Sequence, residues 1–107
     1  MPEKWDNPAT TDLVKTIVAL KTTSEAKRFL RDLLTEAELI EFANRWQAAQ
    51  MLDRNVPYST ITDKTGLSST TIARISKWLN QGMGGYRLML NKLTSHHSSS
   101  SYGKGLG

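Results

Sequence analysis

A run of hydroxyl side chains, Ser68-Ser69-Thr70-Thr71, precedes two cationic residues, Arg74 and Lys77. Thr70, Arg74 and Lys77 are separated by four and then three residues, so in a helix they lie on one face. Hydroxyls near the start of such a helix can reach base edges in the major groove, and Arg or Lys further along can contact guanine or phosphate. The residue types and their spacing therefore predict a surface that reads double-stranded DNA.

The segment 58–79 has the spacing of a helix-turn-helix, which would position these side chains. Gly66 supplies the positive φ that a tight turn between two packed helices requires. The residues expected to pack between the two helices are Ile61, Thr65, Leu67, Ile72 and Ile75. We expect the closest approach of the helices at Thr62, and a cap on the second helix from Ser68 or Ser69. An ordinary pair of solvated helices is the alternative, because the pattern is partly degenerate.

The candidate DNA contacts are expected to be exposed on the two helices of this motif. Side chains near the start of the second helix should meet base edges, cations further along should meet bases or phosphates, and side chains of the first helix should meet the phosphate backbone. The expected base contacts are Ser69, Thr70 and Ala73, and the cations further along are Arg74 and Lys77. The expected backbone contacts of the first helix are Lys64 and Ser59. Ser68 and Thr71 complete the set of candidate DNA contacts.

Charge is unevenly divided between the two halves of the chain. Residues 1–53 carry seven Lys or Arg and nine Asp or Glu, net −2, whereas residues 54–107 carry seven and one, net +6. The basic residues of the second half are Arg54, Lys64, Arg74, Lys77, Arg87, Lys92 and Lys104, and its one acid is Asp63. Such a field attracts a polyanion through counterion release. Charges that merely keep a small domain soluble are the alternative.

Length and composition restrict the classes of protein. The 107 residues suffice for one compact domain. The hydrophobic share of 38% implies a modest monomer core, so a helical dimer would bury more apolar surface. The absence of cysteine excludes disulfides, thiol catalysis and thiolate metal sites. Because the N-terminus lacks the apolar core of a signal peptide and no apolar run could span a bilayer, we expect a soluble, cytoplasmic protein without a membrane partner.

Apolar periodicity predicts helices over most of the chain. The first predicted helix spans residues 10–22, and the second starts at Thr23 or Ser24. The third runs from the capping box Thr35-Glu-Ala-Glu38 to about Arg54. The two helices of the motif follow, and the last helix spans Tyr86 to Leu93. The apolar face of the third helix is predicted to comprise Leu39, Phe42, Ala43, Trp46, Ala49 and Leu52.

These boundaries divide the chain into three parts. We expect an N-terminal arm over residues 1–9, a single helical DNA-binding domain over 10–93 and a disordered tail over 94–107, which has little apolar content. His96 and His97 in the tail have no nearby carboxylate or thiol, so they make a weak metal site. We therefore expect no metal and no cofactor.

Six helices, with a long third helix that leads into a helix-turn-helix, resemble the Trp repressor superfamily. The matching residues are Leu34-Thr-Glu-Ala-Glu38, Arg45, Gly66, Thr70-Thr71-Ile72, Arg74 and Leu79. Leu79-Asn80-Gln81-Gly82 and Gly85-Tyr86 look more like the uncharacterised bacterial relatives of the repressor than the repressor itself. The resemblance covers about residues 10–93. It implies an all-α, six-helix domain in an intertwined dimer, whose first helices interlock and whose recognition helices face successive major grooves.

The resemblance also implies where a tryptophan corepressor would bind. Arg45 and Arg74 match the two arginines that flank tryptophan in the repressor, and Thr35 matches a backbone-supporting position. Ile75 and Trp78 stand where the repressor has a glycine and a serine. Because these side chains would fill the pocket and leave no polar partner for a zwitterion, we expect them to be core and expect no tryptophan ligand. A differently shaped ligand site is the alternative.

The sequence contains no nucleophile triad, paired carboxylates or phosphate-binding glycine loop, so we expect no enzyme. Our prediction is a sequence-specific DNA-binding transcriptional regulator, a repressor that acts as a homodimer without tryptophan. A ligand-gated repressor with an unknown effector, a protein-interaction module and an RNA-binding module remain alternatives, because a fold does not define a function.

Overall fold

The computed structural model describes the backbone of residues 3–102 and the side chains of residues 3–94. The described residues form six helices and no strand: α1 (Pro8–Ala19), α2 (Thr23–Leu33), α3 (Glu36–Asp53), α4 (Tyr58–Thr65), α5 (Ser69–Gln81) and α6 (Gly85–Tyr102). The all-α, six-helix class predicted from the sequence is therefore confirmed. No helix in this part of the chain is long and apolar enough to cross a bilayer.

Helices α1, α2, α3 and α5 begin at residues whose side chains accept hydrogen bonds from backbone amides of the first turn. Asn7 caps α1 by accepting a hydrogen bond from the Thr10 amide at 3.0 Å, and Pro8 occupies the first turn. α1 thus starts within the segment predicted to be an arm. The capping box of α3 is present, because the Thr35 amide donates to Glu38 and the Glu38 amide donates to the Thr35 hydroxyl.

The chain divides into two compact units, Met1–Leu39 and Ile40–Gly107. In the first unit, neither α1 nor α2 contains a buried residue. Apolar side chains there remain substantially exposed, and they include Val14, Ile17, Val18 and Leu33. Periodicity predicted the apolar faces of these helices, and within one chain these faces are covered only in part.

The second unit contains the hydrophobic core. Its buried cluster is Ala48, Ala49, Met51, Ile61, Leu67, Ile72 and Ile75, and Trp46, Leu52, Val56 and Tyr86 pack against it. α3 therefore contributes the face that includes Ala48, and α4 and α5 pack on it through their isoleucines. The apolar face predicted for α3 is correct only in part, because Ala43 is exposed and Phe42 keeps 49% of its surface exposed.

The last helix is held to α3 by an ion pair. Arg87 Nη1 donates to Asp53 Oδ1 at 2.6 Å. The helix continues to Tyr102, whereas the sequence predicted that it would end at Leu93 and that a tail would begin at residue 94. Neither Gly nor Pro occurs between Tyr86 and Tyr102 to stop the helix. Residues 1–2 and 103–107, including Lys104, and the side chains of His96 and His97 lie outside the described part of the chain.

Candidate nucleic-acid interface

The turn between α4 and α5 is built around Gly66, which has a φ of 74°. The Gly66 amide donates to the Thr62 carbonyl at 2.8 Å and so terminates α4. A side chain at this position would be strained, because the left-handed region disfavours residues with a Cβ. The predicted turn residue is therefore in the conformation that the motif requires.

The residue buried at this turn is Thr65, not Thr62. Thr65 is 8% exposed, and Thr62 is half-buried. The Thr65 hydroxyl donates to the Ile61 carbonyl at 2.7 Å and accepts from the Leu67 amide at 3.2 Å. The sequence identified Thr65 as a packing residue but missed its hydrogen bonds. One sequence signal could have predicted these hydrogen bonds. Thr65 is a hydroxyl residue two positions before Leu67, whose amide lies just beyond the end of a helix.

The start of α5 is capped by Ser68. Its hydroxyl oxygen accepts from the Thr71 amide at 3.1 Å and bonds the Thr71 hydroxyl at 3.0 Å. Of the two capping residues that the sequence offered, Ser68 takes the role and Ser69 becomes the first helical residue. Thr71, which is half-buried, contributes its hydroxyl to this cap, whereas Ser69 and Thr70 are exposed. The cap leaves these last two hydroxyls at the exposed first turn of the helix.

The remaining candidate contacts of α5 form one exposed stripe. Ala73, Arg74 and Lys77 are exposed and follow Thr70 at helical spacing. The opposite side of the helix carries the buried residues Ile72, Ile75 and Leu79. Packing of that apolar side against α3 and α4 therefore turns the polar stripe to solvent.

The second unit exposes further polar and cationic side chains outside α5. Ser59 and Lys64 are exposed on α4, and Lys64 lies in its last turn, where a cation is favourable to the helix dipole. Arg54 and Lys92 are also exposed, whereas Arg87 is bonded to Asp53. Every candidate contact from Ser59 to Lys77 is thus accessible except Thr71, which is half-buried.

The residues matched to the corepressor site do not form a prepared arginine clamp. Arg45 Nη2 donates to Glu41 at 2.7 Å within α3, and Arg74 is exposed on α5. Thr35 lies at the start of α3, where its hydroxyl serves the capping box. Ile75 is fully buried. The first arginine is therefore already paired with a carboxylate, and the isoleucine occupies the core.

Trp78 differs from the sequence prediction because it is 44% exposed and is not a core residue of the single chain. It lines a largely apolar cleft of about 670 Å³ with Trp46, Gly82, Met83, Gly85, Tyr86 and Met89. Gly82 and Gly85, which line the same cleft, carry no side chain that could cover the indole. Trp78 thus forms the wall of an open cleft.

Comparisons with known proteins agree with this architecture. A family model described as Trp repressor protein matches residues 9–94. "Uncharacterized protein YerC" of Bacillus subtilis (strain 168) is 35% identical over 89 residues, which are 83% of this chain and 86% of that protein. The crystal structure of a TrpR like protein from Eubacterium eligens ATCC 27750 has a TM-score of 0.80 and 34% identity, covering 85% of this chain and 94% of that one.

The crystal structure of a protein from Staphylococcus aureus has a TM-score of 0.79 and 27% sequence identity to this chain. The match covers 87% of this chain and 96% of that protein's chain. The matched region of the family model covers α1 from its second residue, all of α2 to α5, and the first ten residues of α6. This chain belongs to the Trp repressor family.

Proposed function

We propose that this protein is a sequence-specific, double-stranded DNA-binding transcriptional regulator. The observation that carries the proposal is the exposed stripe of α5, in which Thr70, Ala73, Arg74 and Lys77 face solvent while the opposite side of the helix is buried. One hydroxyl and two cationic groups at these positions can form hydrogen bonds with base edges in the major groove and with phosphates. Membership of the Trp repressor family supports the same assignment.

The chemistry of the stripe favours duplex DNA over other partners. Sequence-specific RNA modules stack unpaired bases on aromatic rings, whereas this stripe presents hydroxyl, methyl and cationic groups. A module that binds only proteins would not need the net charge of +6 carried by residues 54–107. We assign no enzymatic activity, and we place the protein in the cytoplasm, where bacterial DNA is reached directly.

The proposed assembly is a homodimer. Val14, Ile17, Val18 and Leu33 of the first unit expose apolar surface, as do Ile40 and Phe42 of α3. Large apolar side chains that each unit leaves exposed favour an interface, because their burial stabilises association. Two copies would present two recognition helices to one operator, and occupancy of that operator would block polymerase, so we propose a repressor.

Tryptophan is not the proposed effector. Ile75 leaves no room at its position, since its side chain is fully buried in the core, and Arg45 is paired with Glu41. A zwitterion would meet the negative charge of Glu41 beside Arg45, which opposes its carboxylate. Regulation by DNA occupancy without tryptophan is therefore the function that fits these residues.

Selection of bound duplexes from a random pool with the full chain tests the proposal. A palindromic motif with half-sites about one helical turn apart is expected. Arg74→Ala should abolish enrichment, whereas Arg28→Ala, an exposed arginine of α2, should leave it unchanged. Absence of any enriched sequence would contradict sequence-specific binding. A single unpaired half-site would preserve DNA binding and contradict the dimer.

A further inference from the structure

Thr65 has the connections of a residue that sets the direction of the recognition helix. Among residues 3–94 it is the only buried polar residue, and it directly precedes Gly66, which has a left-handed backbone conformation. Its hydroxyl uses its one proton on the Ile61 carbonyl and one lone pair on the Leu67 amide, at 2.7 and 3.2 Å. One side chain thus joins the last turn of α4 to the segment that leads into α5.

The Leu67 amide, which donates its hydrogen bond to the Thr65 hydroxyl, cannot readily find another acceptor. Leu67 is 9% exposed and belongs to the core cluster, so water has little access to its backbone. A buried amide without a partner is costly, and the chain moves to satisfy it. Loss of the hydroxyl would therefore shift the segment 66–68 rather than leave it in place.

That segment is short and otherwise fixed at both ends. The Gly66 amide is bonded to the Thr62 carbonyl, and Ser68 is bonded to the Thr71 amide as the cap of α5. A shift at Leu67 is consequently transmitted to the cap and to the first turn of α5. Ser69 and Thr70 of that turn are the proposed base contacts.

We propose that Thr65 is a positioning residue whose hydroxyl orients α5 for sequence discrimination. This inference rests on the proposed DNA-binding function and adds a residue that does not touch the DNA. Direct readout requires side chains to meet base edges in a fixed geometry, whereas phosphate contacts tolerate small displacements. The hydroxyl should therefore govern preference for the operator more than affinity for DNA in general.

The test compares Thr65→Val, which keeps the shape and removes the hydroxyl, with Thr65→Ser, which keeps the hydroxyl. The quantity measured is the ratio of affinities for a duplex selected from the random pool and a scrambled duplex, at one salt concentration. For Thr65→Val we expect a loss of about tenfold in this ratio, the scale of discrimination at one base pair. Thr65→Ser should retain the ratio of the unmodified protein.

A control separates orientation from stability. Ile61→Val removes one methylene from a fully buried side chain, so it lowers the melting temperature without altering a hydrogen bond at the turn. Its affinity ratio should remain unchanged under conditions in which it is folded. If Thr65→Val does not fold, Thr65→Ala compared with Thr65→Ser repeats the removal of the hydroxyl at constant carbon count.

Two NMR measurements test the inference without DNA. In Thr65→Val the Leu67 amide should exchange with solvent faster by about tenfold or more, because its acceptor is gone. Residual dipolar couplings should show a changed direction of α5 relative to α4, and Ile61→Val should show neither change. Unchanged couplings, or an unchanged affinity ratio in a folded Thr65→Val, would overturn the inference. An unmodified protein that prefers no duplex would overturn the proposed function, while the couplings would still decide whether Thr65 orients α5.

Discussion

The indole of Trp46 and the phenol of Tyr86 stack with ring centroids 6.3 Å apart and planes inclined by 11°. This contact packs α6 on α3 at the edge of the core, beside the ion pair of Asp53 and Arg87. Burial raises the pKa of the Tyr86 hydroxyl above its ordinary value, and the positive charge of Arg45 opposes that rise. The two residues thus couple the position of the last helix to the protonation of one phenol.

The raised pKa of Tyr86 predicts a loss of stability at alkaline pH. The unfolded chain releases the Tyr86 proton at a lower pH than the folded chain does. The contribution of the protonated phenol to the stability of the fold is therefore complete below the unfolded pKa, about 10. This contribution is lost as pH rises through the folded pKa. Urea unfolding should show a lower free energy of unfolding across this range. Tyr86→Phe should remove that component, and identical pH profiles for the two proteins would contradict it.

Lys77 is predicted to neutralise a phosphate or contact a base on bound DNA. Lys77→Ala should therefore lower the slope of log affinity against log salt by about one unit. Lys15→Ala is the matched control, because Lys15 is an exposed lysine of the first unit. Binding of the selected duplex should be measured by fluorescence anisotropy at several salt concentrations. Equal slopes for both variants would remove Lys77 from the set of contacts.

The exposed apolar residues of α1 predict a dimer that one charge can dissociate. Val18 is 77% exposed in the single chain, so Val18→Asp should leave each chain folded but place a charge in the interface. Sedimentation equilibrium should report a monomer. Thr16→Asp places the same charge on the other side of α1 and should remain dimeric. A folded monomer from the unmodified chain at micromolar concentration would refute the assembly.

Isothermal calorimetry with L-tryptophan should detect no binding, because Ile75 occupies the core and Arg45 is paired with Glu41. The variant Ile75→Gly with Trp78→Ser recreates the repressor's small and polar residues at these positions. It should be less stable by about 2 to 5 kcal/mol from the buried Ile75 alone. Tryptophan binding by this variant would show that Arg45 can release Glu41, and binding by the unmodified protein would contradict the prediction.

Two glycines near the start of α6 should respond oppositely to alanine. A Cβ on Gly82 would lie 2.5 Å from the Trp78 carbonyl oxygen, which belongs to the backbone of α5 and cannot move alone. Gly82→Ala should therefore cost on the order of 2 kcal/mol. A Cβ on Gly85 would meet nothing within 4 Å, so Gly85→Ala should be neutral or stabilising. Thermal unfolding compares the two, and similar melting temperatures would contradict the steric explanation.

The parts of the fold that local chemistry determines were predictable from the sequence. The capping box of Thr35 and Glu38, the cap from Ser68 and the positive φ of Gly66 each depend on neighbours within a few residues. The apolar stripe of Ile72, Ile75 and Leu79 followed from helical periodicity, and it fixes which side of α5 is exposed.

Features that depend on neighbours distant in the sequence were not predictable. Periodicity placed Phe42 and Ala43 on the apolar face of α3, but a single sequence does not show which residues cover that face. Trp78 was expected to be buried because it lies near an apolar stripe, yet it is 44% exposed and lines an open cleft. The hydrogen bonds of Thr65 depend on the path of the chain after Gly66, which composition does not encode.

The ion pair of Asp53 and Arg87 joins the last residue of α3 to the first turn of α6, and residues 54–86 between them include the whole helix-turn-helix. The pair and the stacked rings of Trp46 and Tyr86 therefore hold the two ends of this segment together, with the exposed ion pair itself contributing about 1 kcal/mol or less. α4 and α5 should then open and close together as one cooperative unit, with similar hydrogen-exchange free energies across the segment.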